Sequence, residues 1–390
     1  MTEVIMRKPF KVRRISIKEA IASLPSVVPL TNSLPPIDLF IGASGFEERI
    51  LAAPERIEKM GGRVLGLSLL GRYGTNPEDN SKRARELLPL LERLNRSIEF
   101  FDAESPASIK ASIDSAIDRF CVREDGVRGH IVFDTSGSSS QLIFSVLAAV
   151  FRSCVNVMLT ILYTPALQYH EPSSANRNEL SFDWGEGDLR EFGVAEVYYN
   201  ELYQGMHQDH LPAYVIAFPS MFTERLQRSL GHLGVGPLVG AEKSIHWVLP
   251  STSHSDHQWR RMQIEKCLAA LFPYGAEEPG SVQTLPLDSY SCCDVFDYAH
   301  AAEIVMEQVE SQGGCANISL IHMGAKLQTV GAALALAARP EVALVGARPI
   351  AFAAQTYSTG KGETQAVTFE SQRAAVKAIQ DIGSLKIVPG

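Results

Sequence analysis

Short apolar runs alternate with amphipathic stretches along most of this 390-residue chain. The runs are apolar throughout, which is typical of buried parallel strands, and the stretches between them repeat apolar residues at helical spacing. The first half predicts strands at 38–42, 63–70, 98–101, 130–134 and 155–163, and helices at 47–60, 80–94, 107–121 and 140–152. The second half predicts strands at 214–218, 244–249, 282–287, 318–322 and 342–345, and helices at 223–233, 256–272, 298–312 and 327–338. This order predicts an α/β fold whose parallel sheets carry helices on both faces.

Three pairs of similar segments follow one another in the same order in the two halves. The first pair sets Ser44, Phe46, Glu48 and Arg49 against Ser220, Phe222, Glu224 and Arg225. The second sets 130–137 against 318–324, each followed at equal spacing by a glutamine and an arginine, and the third sets 162–165 against 346–349. Three collinear matches predict an internal duplication, with two tandem Rossmann-like domains in a pseudo-twofold arrangement and one cleft between them.

The predicted domain boundaries follow from this duplication. They give an N-terminal extension at 1–36, a first Rossmann-like copy at 37–170, a linking segment at 171–212 and a second copy at 213–390. Each copy has an ordinary domain size. The extension is basic, which indicates a solvated tail or edge strand, or alternatively a docking segment for a partner or nucleic acid.

The bulk composition narrows the class of protein. A net charge of −8 disfavours sequence-independent binding of nucleic acid by the whole surface. The six cysteines form no CxxC pair, as expected for reduced thiols in the cytoplasm. The N-terminal 36 residues lack the apolar core of a signal peptide, and the apolar stretch 331–354 is broken by charges and prolines. We therefore expect a soluble, cytoplasmic protein that uses no membrane and no cofactor.

A small, hydroxyl-rich turn joins a predicted strand to a helix in the first copy. It consists of Asp134, Thr135, Ser136, Gly137 and Ser138. Ligands of open parallel sheets bind where strands end and helices begin, and the backbone N–H groups there attract anions. The turn predicts a ligand contact, and an ordinary helix cap is the alternative.

The matching turn of the second copy carries a lysine instead of serines. Its candidate ligand contacts are His322, Gly324, Lys326 and Gln328. Lys326 is placed to meet a phosphate or carboxylate, although a solvated helix lysine has the same pattern. A later glycine-flanked loop adds Tyr357 and Lys361, either as an anion-binding nest or as a surface hairpin.

The first helix of each copy opens with a repeated serine and arginine, Ser44 with Arg49 and Ser220 with Arg225. Arginine suits phosphate and is rarely buried alone, so both arginines are candidates for ligand binding. A pairing across the interface between the copies is the equal alternative.

No catalytic or metal motif is evident in the sequence. The spacing of His254 and His257 resembles a fragment of a metal site, but no set of partner ligands accompanies it, so we predict no metal. A P-loop, a GxGxxG turn, an HExxH helix and a nucleophile elbow are all missing. The catalytic residues stay unknown, with His322 and Lys326 as the candidates if there is catalysis.

The serine loop after the opening strand, together with the segment 134–141, resembles the CARF superfamily of Rossmann-like domains. Those domains carry a Thr-Gly-Gly-Thr-Lys type of turn after the fourth core strand; here Ser138 replaces the second glycine, and only the second copy has a lysine, Lys326. Two such copies in one chain resemble SAVED domains. The resemblance implies sensing of a cyclic oligonucleotide in prokaryotic antiviral defence. It also implies either a separate effector protein or a phosphodiesterase that degrades the signal.

Three hypotheses about function remain open at this stage. The chain is a non-catalytic nucleotide sensor or partner subunit, an enzyme that hydrolyses or transfers a nucleotide or phosphorylated small molecule, or a scaffold with an empty cleft. The sensor hypothesis is favoured because the helix entrances are duplicated while no general base is evident.

Overall fold

A computed structural model describes residues 10–123, 127–169, 191–235, 244–253, 257–271, 290–352, 354 and 358–389. Its strands are β1 (Phe10–Arg14), β2 (Val28–Pro29), β3 (Ile37–Ser44), β4 (Val64–Arg72), β5 (Ile98–Asp102), β6 (His130–Asp134), β7 (Met158–Tyr163), β8 (Gln168–Tyr169), β9 (Glu191–Gln204), β10 (Ala213–Phe218), β11 (Ile245–Ser251), β12 (Tyr290–Asp294), β13 (Asn317–His322), β14 (Ala343–Phe352), β15 (Ser358–Thr359), β16 (Gln365–Phe369) and β17 (Leu385–Pro389). Its α-helices are α1 (Ile17–Ala22), α2 (Ala52–Lys59), α3 (Pro77–Leu94), α4 (Pro106–Phe120), α5 (Ser140–Phe151), α6 (Thr223–His232), α7 (Gln258–Leu271), α8 (Tyr298–Gln312), α9 (Lys326–Ala338) and α10 (Gln372–Gln380).

The first sheet has the strand order β2-β16-β7-β6-β3-β4-β5. The five strands from β7 to β5 run parallel, whereas β16 is antiparallel to both β7 and β2. Strand β3 is the central one of these five parallel strands. It is buried along its whole length, because helices cover both faces of the sheet. Its apolar run therefore leaves no polar face, as the sequence predicts.

The second sheet has the order β12-β11-β10-β13-β14-β9. Its five parallel strands, β12 to β14, repeat the order of the five parallel strands of the first sheet, and β9 adds an antiparallel edge. The predicted α/β class with two Rossmann-like, mostly parallel sheets is thus confirmed. The internal duplication remains an interpretation, which the matching strand orders favour.

Helices α5 and α9 follow the fourth parallel strand of their respective sheets and pack against each other. Both are buried on almost every side, which explains why they read as nearly continuous apolar segments. Helix α8 approaches α9 so closely that a side chain at Gly331 would lie 1.9 Å from the carbonyl oxygen of Tyr298. The two sheets therefore share one core, which holds their strand ends in a fixed relation.

The chain crosses between the sheets near both of its ends. Strand β16, in the predicted second copy, pairs with β7 of the first sheet, and β17 pairs with β1. Strand β9, which begins in the predicted linking segment 171–212, forms the edge of the second sheet. The division into copies stays a prediction, but its boundaries do not coincide with the membership of the sheets.

Most element boundaries agree with the sequence patterns within one to three residues, and α8 has the predicted bounds. The predicted helix at 47–60 begins instead as a 3₁₀ turn, Glu48–Leu51, before α2. The predicted strand at 282–287 lies outside the described residues, and β12 fills the corresponding place in the sheet. Every helix in the described ranges is too short or too polar to cross a bilayer.

Candidate functional site

A cavity of about 170 Å³, partly open to solvent, lies at the carboxyl ends of the strands of the first sheet, where they face β14 and α6 of the second. The loops after β3, β4, β5 and β6 form one wall, and residues 344–349 form the opposite wall. Ligands of open parallel sheets bind at this edge. The cavity therefore lies where the sequence predicts a cleft between the two copies.

Lys326 crosses the interface between the two sheets at this cavity. It begins α9, and its Nζ donates a hydrogen bond of 2.5 Å to the carbonyl oxygen of Ser138, at the entrance of α5. Within the parts of the chain that the structure describes, no carboxylate lies within ion-pair distance of this ammonium group. The two helix entrances that the sequence paired are thus in direct contact, and their lysine lines the cavity.

The environment of Lys326 disfavours its positive charge. Burial and, next in size, the neighbouring guanidinium of Arg49 together lower the pKa of Lys326 to about 7. The carboxylates of Glu47 and Asp134 act in the opposite direction without compensating. The ammonium group is therefore only partly protonated at neutral pH, and an anion bound beside it would restore its charge.

Two arginines of the second sheet also line the cavity. Arg225 of α6 donates to the carbonyl oxygen of Ala347 at 3.4 Å. Arg348 pairs with Glu104 at 3.0 Å and with Glu196 at 3.2 Å. These cationic side chains share the wall with two carboxylates, Glu47 and Glu104, so the lining offers an anion charged donors without being uniformly positive.

Four buried polar atoms around the cavity have no hydrogen-bond partner in the structure. They are Asn80 Oδ1, Asn200 Nδ2, His322 Nε2 and Arg348 Nε. Buried polar groups are nearly always paired, so an unpaired set that borders one cavity indicates a missing ligand or ordered water. These four atoms include both donors and acceptors, which is more than a purely anionic site requires.

The ring of His322 is fixed by its neighbours. It stacks on Phe218 with centroids 4.5 Å apart and meets Phe144 edge to face at 5.7 Å. Its Nδ1 lies 3.3 Å from Thr329 Oγ1. Burial lowers the pKa of His322 to about 3, so the ring is neutral at physiological pH.

The hydroxyl-rich turn that the sequence singled out is largely engaged in its own folding. Thr135 Oγ1 donates to the carbonyl oxygen of Leu162, and Ser136 Oγ donates to Asp134 while accepting from the Thr164 N–H. Only the end of the turn, with Gly137 and Ser138, lines the cavity. Thr135 and Ser136 therefore orient the turn and face no ligand space.

Gly137 is required by close packing. A side chain at this position would place its Cβ 2.5 Å from Ile50 Cγ2. The turn therefore lies directly against the 3₁₀ turn Glu48–Leu51, which contains Arg49.

Arg49 follows the first parallel strand of the first sheet, as Arg225 follows that of the second, but it lies in a cluster of side chains that fills the space around it. Only 3% of it is exposed, and its Nη2 pairs with Glu47 at 2.7 Å while Nη1 donates to the Tyr169 hydroxyl at 3.2 Å. Tyr163 packs against Phe296 of the second sheet, and Arg260 lies 4.5 Å from the centre of the Tyr169 ring. We call Glu47, Arg49, Tyr163 and Tyr169 the arginine–tyrosine cluster.

The charges of this cluster compensate one another. Burial by itself would raise the pKa of Glu47, but Arg49 and Lys326 outweigh it and hold that pKa below its ordinary value. Ser358 also donates to Glu47 at 2.8 Å. The cluster is therefore a buried ion pair with satisfied acceptors, although Arg49 Nε has no hydrogen-bond partner among the described residues. Its aromatic rings pack around the guanidinium, and Glu47 also lines the cavity.

Asp134 lies at the end of β6 and is also buried. Burial raises its pKa to about 6, although hydrogen bonds from the N–H and hydroxyl of Ser136 act in the opposite direction. Its ionised form is thus stabilised by a local turn and weakly by Arg49 and Lys326. Asp134 does not line the cavity.

The remaining predicted contacts lie elsewhere. Ser44 donates to the carbonyl oxygen of Gly71, Ser220 accepts from the N–H of Phe222, and Gln328 joins the N–H of Ala325 to the carbonyl oxygen of Cys293. Gly324 leaves room for Gln328, and Lys361 pairs with Glu55 at 2.8 Å. None of these five residues lines the cavity, and Tyr357 lies outside the described residues.

Several cavity residues were missed by the sequence reasoning. They are Tyr73, Asn80, Glu104, Asn200 and Arg348. One of them carried a signal: Asn200 lies inside a long strand, where asparagine is disfavoured unless its side chain has a task. Tyr73, Asn80 and Glu104 lie in loops or a first helical turn, where polar residues are ordinary, and Arg348 lies inside β14.

The described residues contain no cluster of three or more histidines, cysteines, aspartates or glutamates that could hold a metal ion. His257 packs its ring against Tyr169, with centroids 5.5 Å apart, and His254 lies outside the described residues. The polar groups that line the site are amides, guanidiniums, one lysine, one neutral histidine, two carboxylates and several hydroxyls.

Comparison with known proteins does not identify a family. No family model matches the chain, and no curated protein matches it. Among solved structures, it is similar to the cytoplasmic domain of a prokaryotic cation chloride cotransporter, at 6% identity over 80% of this chain and 95% of that one, with a TM-score of 0.23. A TM-score this low supports no inference about fold or function.

Proposed function

We propose that this chain binds a nucleotide in the cleft between its two sheets and is a sensing subunit that acts through a separate effector protein. CARF and SAVED proteins of prokaryotic antiviral defence provide the pattern for this proposal. The observation that carries it is the set of unpaired polar atoms of Asn80, Asn200, His322 and Arg348 around one cavity. A bound ligand would satisfy them, and their burial without one costs about 1–3 kcal/mol each.

The charges of the cleft favour a phosphate group. Lys326, Arg225 and Arg348 supply cationic donors, and the backbone N–H groups that open α5 lie beside them. Guanidinium groups match the geometry of phosphate oxygens better than any other side chain. The aromatic rings of Phe46 and Phe352, 6.0 Å apart on the wall of the same cavity, supply an apolar surface for a base.

The volume limits how much of a ligand is enclosed. A cavity of roughly 150 Å³ accommodates one benzene ring. About 170 Å³ therefore holds one ring-sized group, and the rest of a larger ligand would extend through the open side. A mononucleotide fits this description, and a cyclic oligonucleotide would insert one of its nucleotides.

Hydrolysis or transfer of the same ligand is the second candidate function. The observation that favours it is Lys326, because a lysine with a pKa of about 7 beside a ligand cavity is a common feature of catalytic sites. The neutral His322 borders the same cavity. Chemical turnover of a bound nucleotide would support the enzyme hypothesis over the sensor hypothesis.

The test is thermal unfolding against a panel of mononucleotides, dinucleotides and cyclic oligonucleotides. A ligand at a hundredfold its dissociation constant adds about 2.7 kcal/mol to the free energy of unfolding. We expect a clear rise in Tm with at least one nucleotide, and loss of that rise in Lys326→Ala. Lys361→Ala removes the same charge outside the cavity and is the matched control.

Three outcomes separate the hypotheses. A rise in Tm with an unchanged nucleotide supports the sensor, and a rise with a cleaved product supports the enzyme. If no nucleotide changes the Tm of the wild-type chain, the nucleotide proposal is wrong and the cleft belongs to a scaffold.

A further inference from the structure

The unpaired atoms around the cavity can be sorted into donors and acceptors. Asn80 Nδ2 donates to the carbonyl oxygen of Thr75 at 2.7 Å, which fixes the orientation of the amide and leaves Oδ1 as an unpaired acceptor. Asn200 Oδ1 accepts from the N–H of Leu202 at 2.9 Å, so its unpaired Nδ2 is a donor. Arg348 Nε is also a donor.

The tautomer of His322 follows from its neighbour. The hydroxyl of Thr329 has one proton to donate. Its oxygen, Oγ1, lies 3.1 Å from the carbonyl oxygen of Ala325 and 3.3 Å from His322 Nδ1. The shorter contact assigns the hydroxyl proton to Ala325, so Nδ1 carries the ring proton and donates to Thr329. The neutral ring then has no proton on Nε2, which makes Nε2 a second unpaired acceptor.

We propose that the cleft selects ligands that carry hydroxyl or amino donors in addition to a negative charge, with His322 Nε2 and Asn80 Oδ1 as the acceptors that read those donors. This inference rests on the proposed function and adds the two residues that recognise the hydroxyl or amino groups of the nucleotide. Fully ionised inorganic anions such as sulfate offer only acceptors, so they would leave both atoms unpaired. Nucleoside and sugar phosphates present a phosphate together with ribose hydroxyls or a base amine.

The first experiment compares three probes by calorimetric titration at pH 6.5: AMP, ribose 5-phosphate and sulfate, which carries no proton at this pH. We expect AMP or ribose 5-phosphate to bind at least about tenfold more tightly than sulfate, because two further hydrogen bonds form. Sulfate that binds as tightly as AMP would overturn the inference and leave the anion site intact. If no probe binds, the inference fails, and the proposed function is then judged by the Tm panel of nucleotides.

The second experiment uses His322→Phe, which keeps a ring against Phe144 and Phe218 but has no Nε2 acceptor. We expect its affinity for AMP to fall by about three- to tenfold while its affinity for sulfate is unchanged. His246→Phe is the matched control, since His246 is equally buried in β11 of the same sheet but pairs with Ser291 away from the cavity.

Should His322→Phe fail to fold, Asn80→Ala provides the same comparison from the first sheet. A selective loss of AMP affinity supports the inference, whereas equal losses for AMP and sulfate would overturn it.

Discussion

Arg225 and Arg49 occupy matching positions after the first strand of each parallel sheet, and both guanidiniums reach toward the end of the fifth strand. Arg225 lies on the wall of an open cavity, while Arg49 is enclosed by Glu47, Tyr163 and Tyr169. The same comparison holds at the end of the fourth parallel strand of each sheet. There Oδ1 of Asp134 accepts from Ser136, but Nε2 of His322 has no partner among the described residues.

The difference teaches how two similar halves can give one binding site. In the arginine–tyrosine cluster, the chain supplies its own aromatic rings and its own carboxylate, so the space is filled and the charges are compensated. In the cavity, the corresponding space is open, and four buried polar atoms of the described residues that border it are unpaired, against one, Arg49 Nε, in the cluster. We therefore expect the first region to matter for stability and the second for binding, with one ligand per chain.

The largest expected effect comes from removing the ion pair of the arginine–tyrosine cluster. Arg49→Met leaves the carboxylate of Glu47 buried without its partner, so the free energy of unfolding should fall by about 3–5 kcal/mol. Urea denaturation measures this loss. Arg225→Met is the matched variant and should lose less than about 1 kcal/mol. Equal losses would show that both arginines are structural and would remove the contrast between the regions.

Asp134 gives the next largest effect, through pH. Its folded pKa of about 6 lies above its ordinary value of 3.8, so the folded state binds more protons between these values. Asp134 therefore makes a contribution to the free energy of unfolding that decreases as the pH rises from about 4 to 6. The decrease is up to about 3 kcal/mol.

Asp134→Asn keeps an acceptor for Ser136 and removes the charge. It should be more stable than wild type at pH 7 and nearly equal to it at pH 4, measured by urea denaturation at both values. Parallel pH profiles for the two proteins would contradict the raised pKa.

Substitutions in the wall of the cavity should change the affinity for AMP. Arg225→Ala removes a charged donor from the cavity wall, so its dissociation constant for AMP should rise about tenfold or more, measured by titration calorimetry. Lys361→Ala should bind AMP like the wild type. A normal affinity in Arg225→Ala would exclude this wall from the binding site.

The last expected effect concerns the charge of Lys326. An anion favours its protonated form, whose pKa in the free protein is about 7, so binding must take up a proton at higher pH. The dissociation constant for AMP should rise by up to about tenfold for each pH unit above 7. The second pKa of phosphate, near 6, lies below this range and does not mask the effect. Lys326→Arg stays charged, and its affinity should not vary with pH between 7 and 9.

The sequence predicted the elements well because buried strands and amphipathic helices have distinct periods. Helix α8 was located to the residue, since Asp297 caps its start and Gly313 ends it in a left-handed conformation. The sequence could not predict that β16 joins the first sheet. That pairing is long-range, and a short apolar run carries no information about its partner strand.

The site was predicted at the level of its loops and less well at the level of its side chains. Lys326, His322 and Arg225 were found because helix entrances attract ligands. Ser136 and Thr135 have the same local pattern, but whether a hydroxyl faces a ligand or its own turn depends on neighbours such as Leu162 and Thr164. Asn80 lies in a helix outside the repeated segments, and Arg348 lies in the repeated segment 346–349, where its side chain was not taken as a candidate.

The position of β16 also bears on how the protein is made. This strand lies between β2 and β7, so β2 reaches the first sheet only through residues 365–369. A ribosome synthesises those residues after the whole of the second sheet, and until then the first sheet lacks one edge. A chain released before Phe369 should therefore expose an unpaired strand and be a substrate for chaperones or proteases.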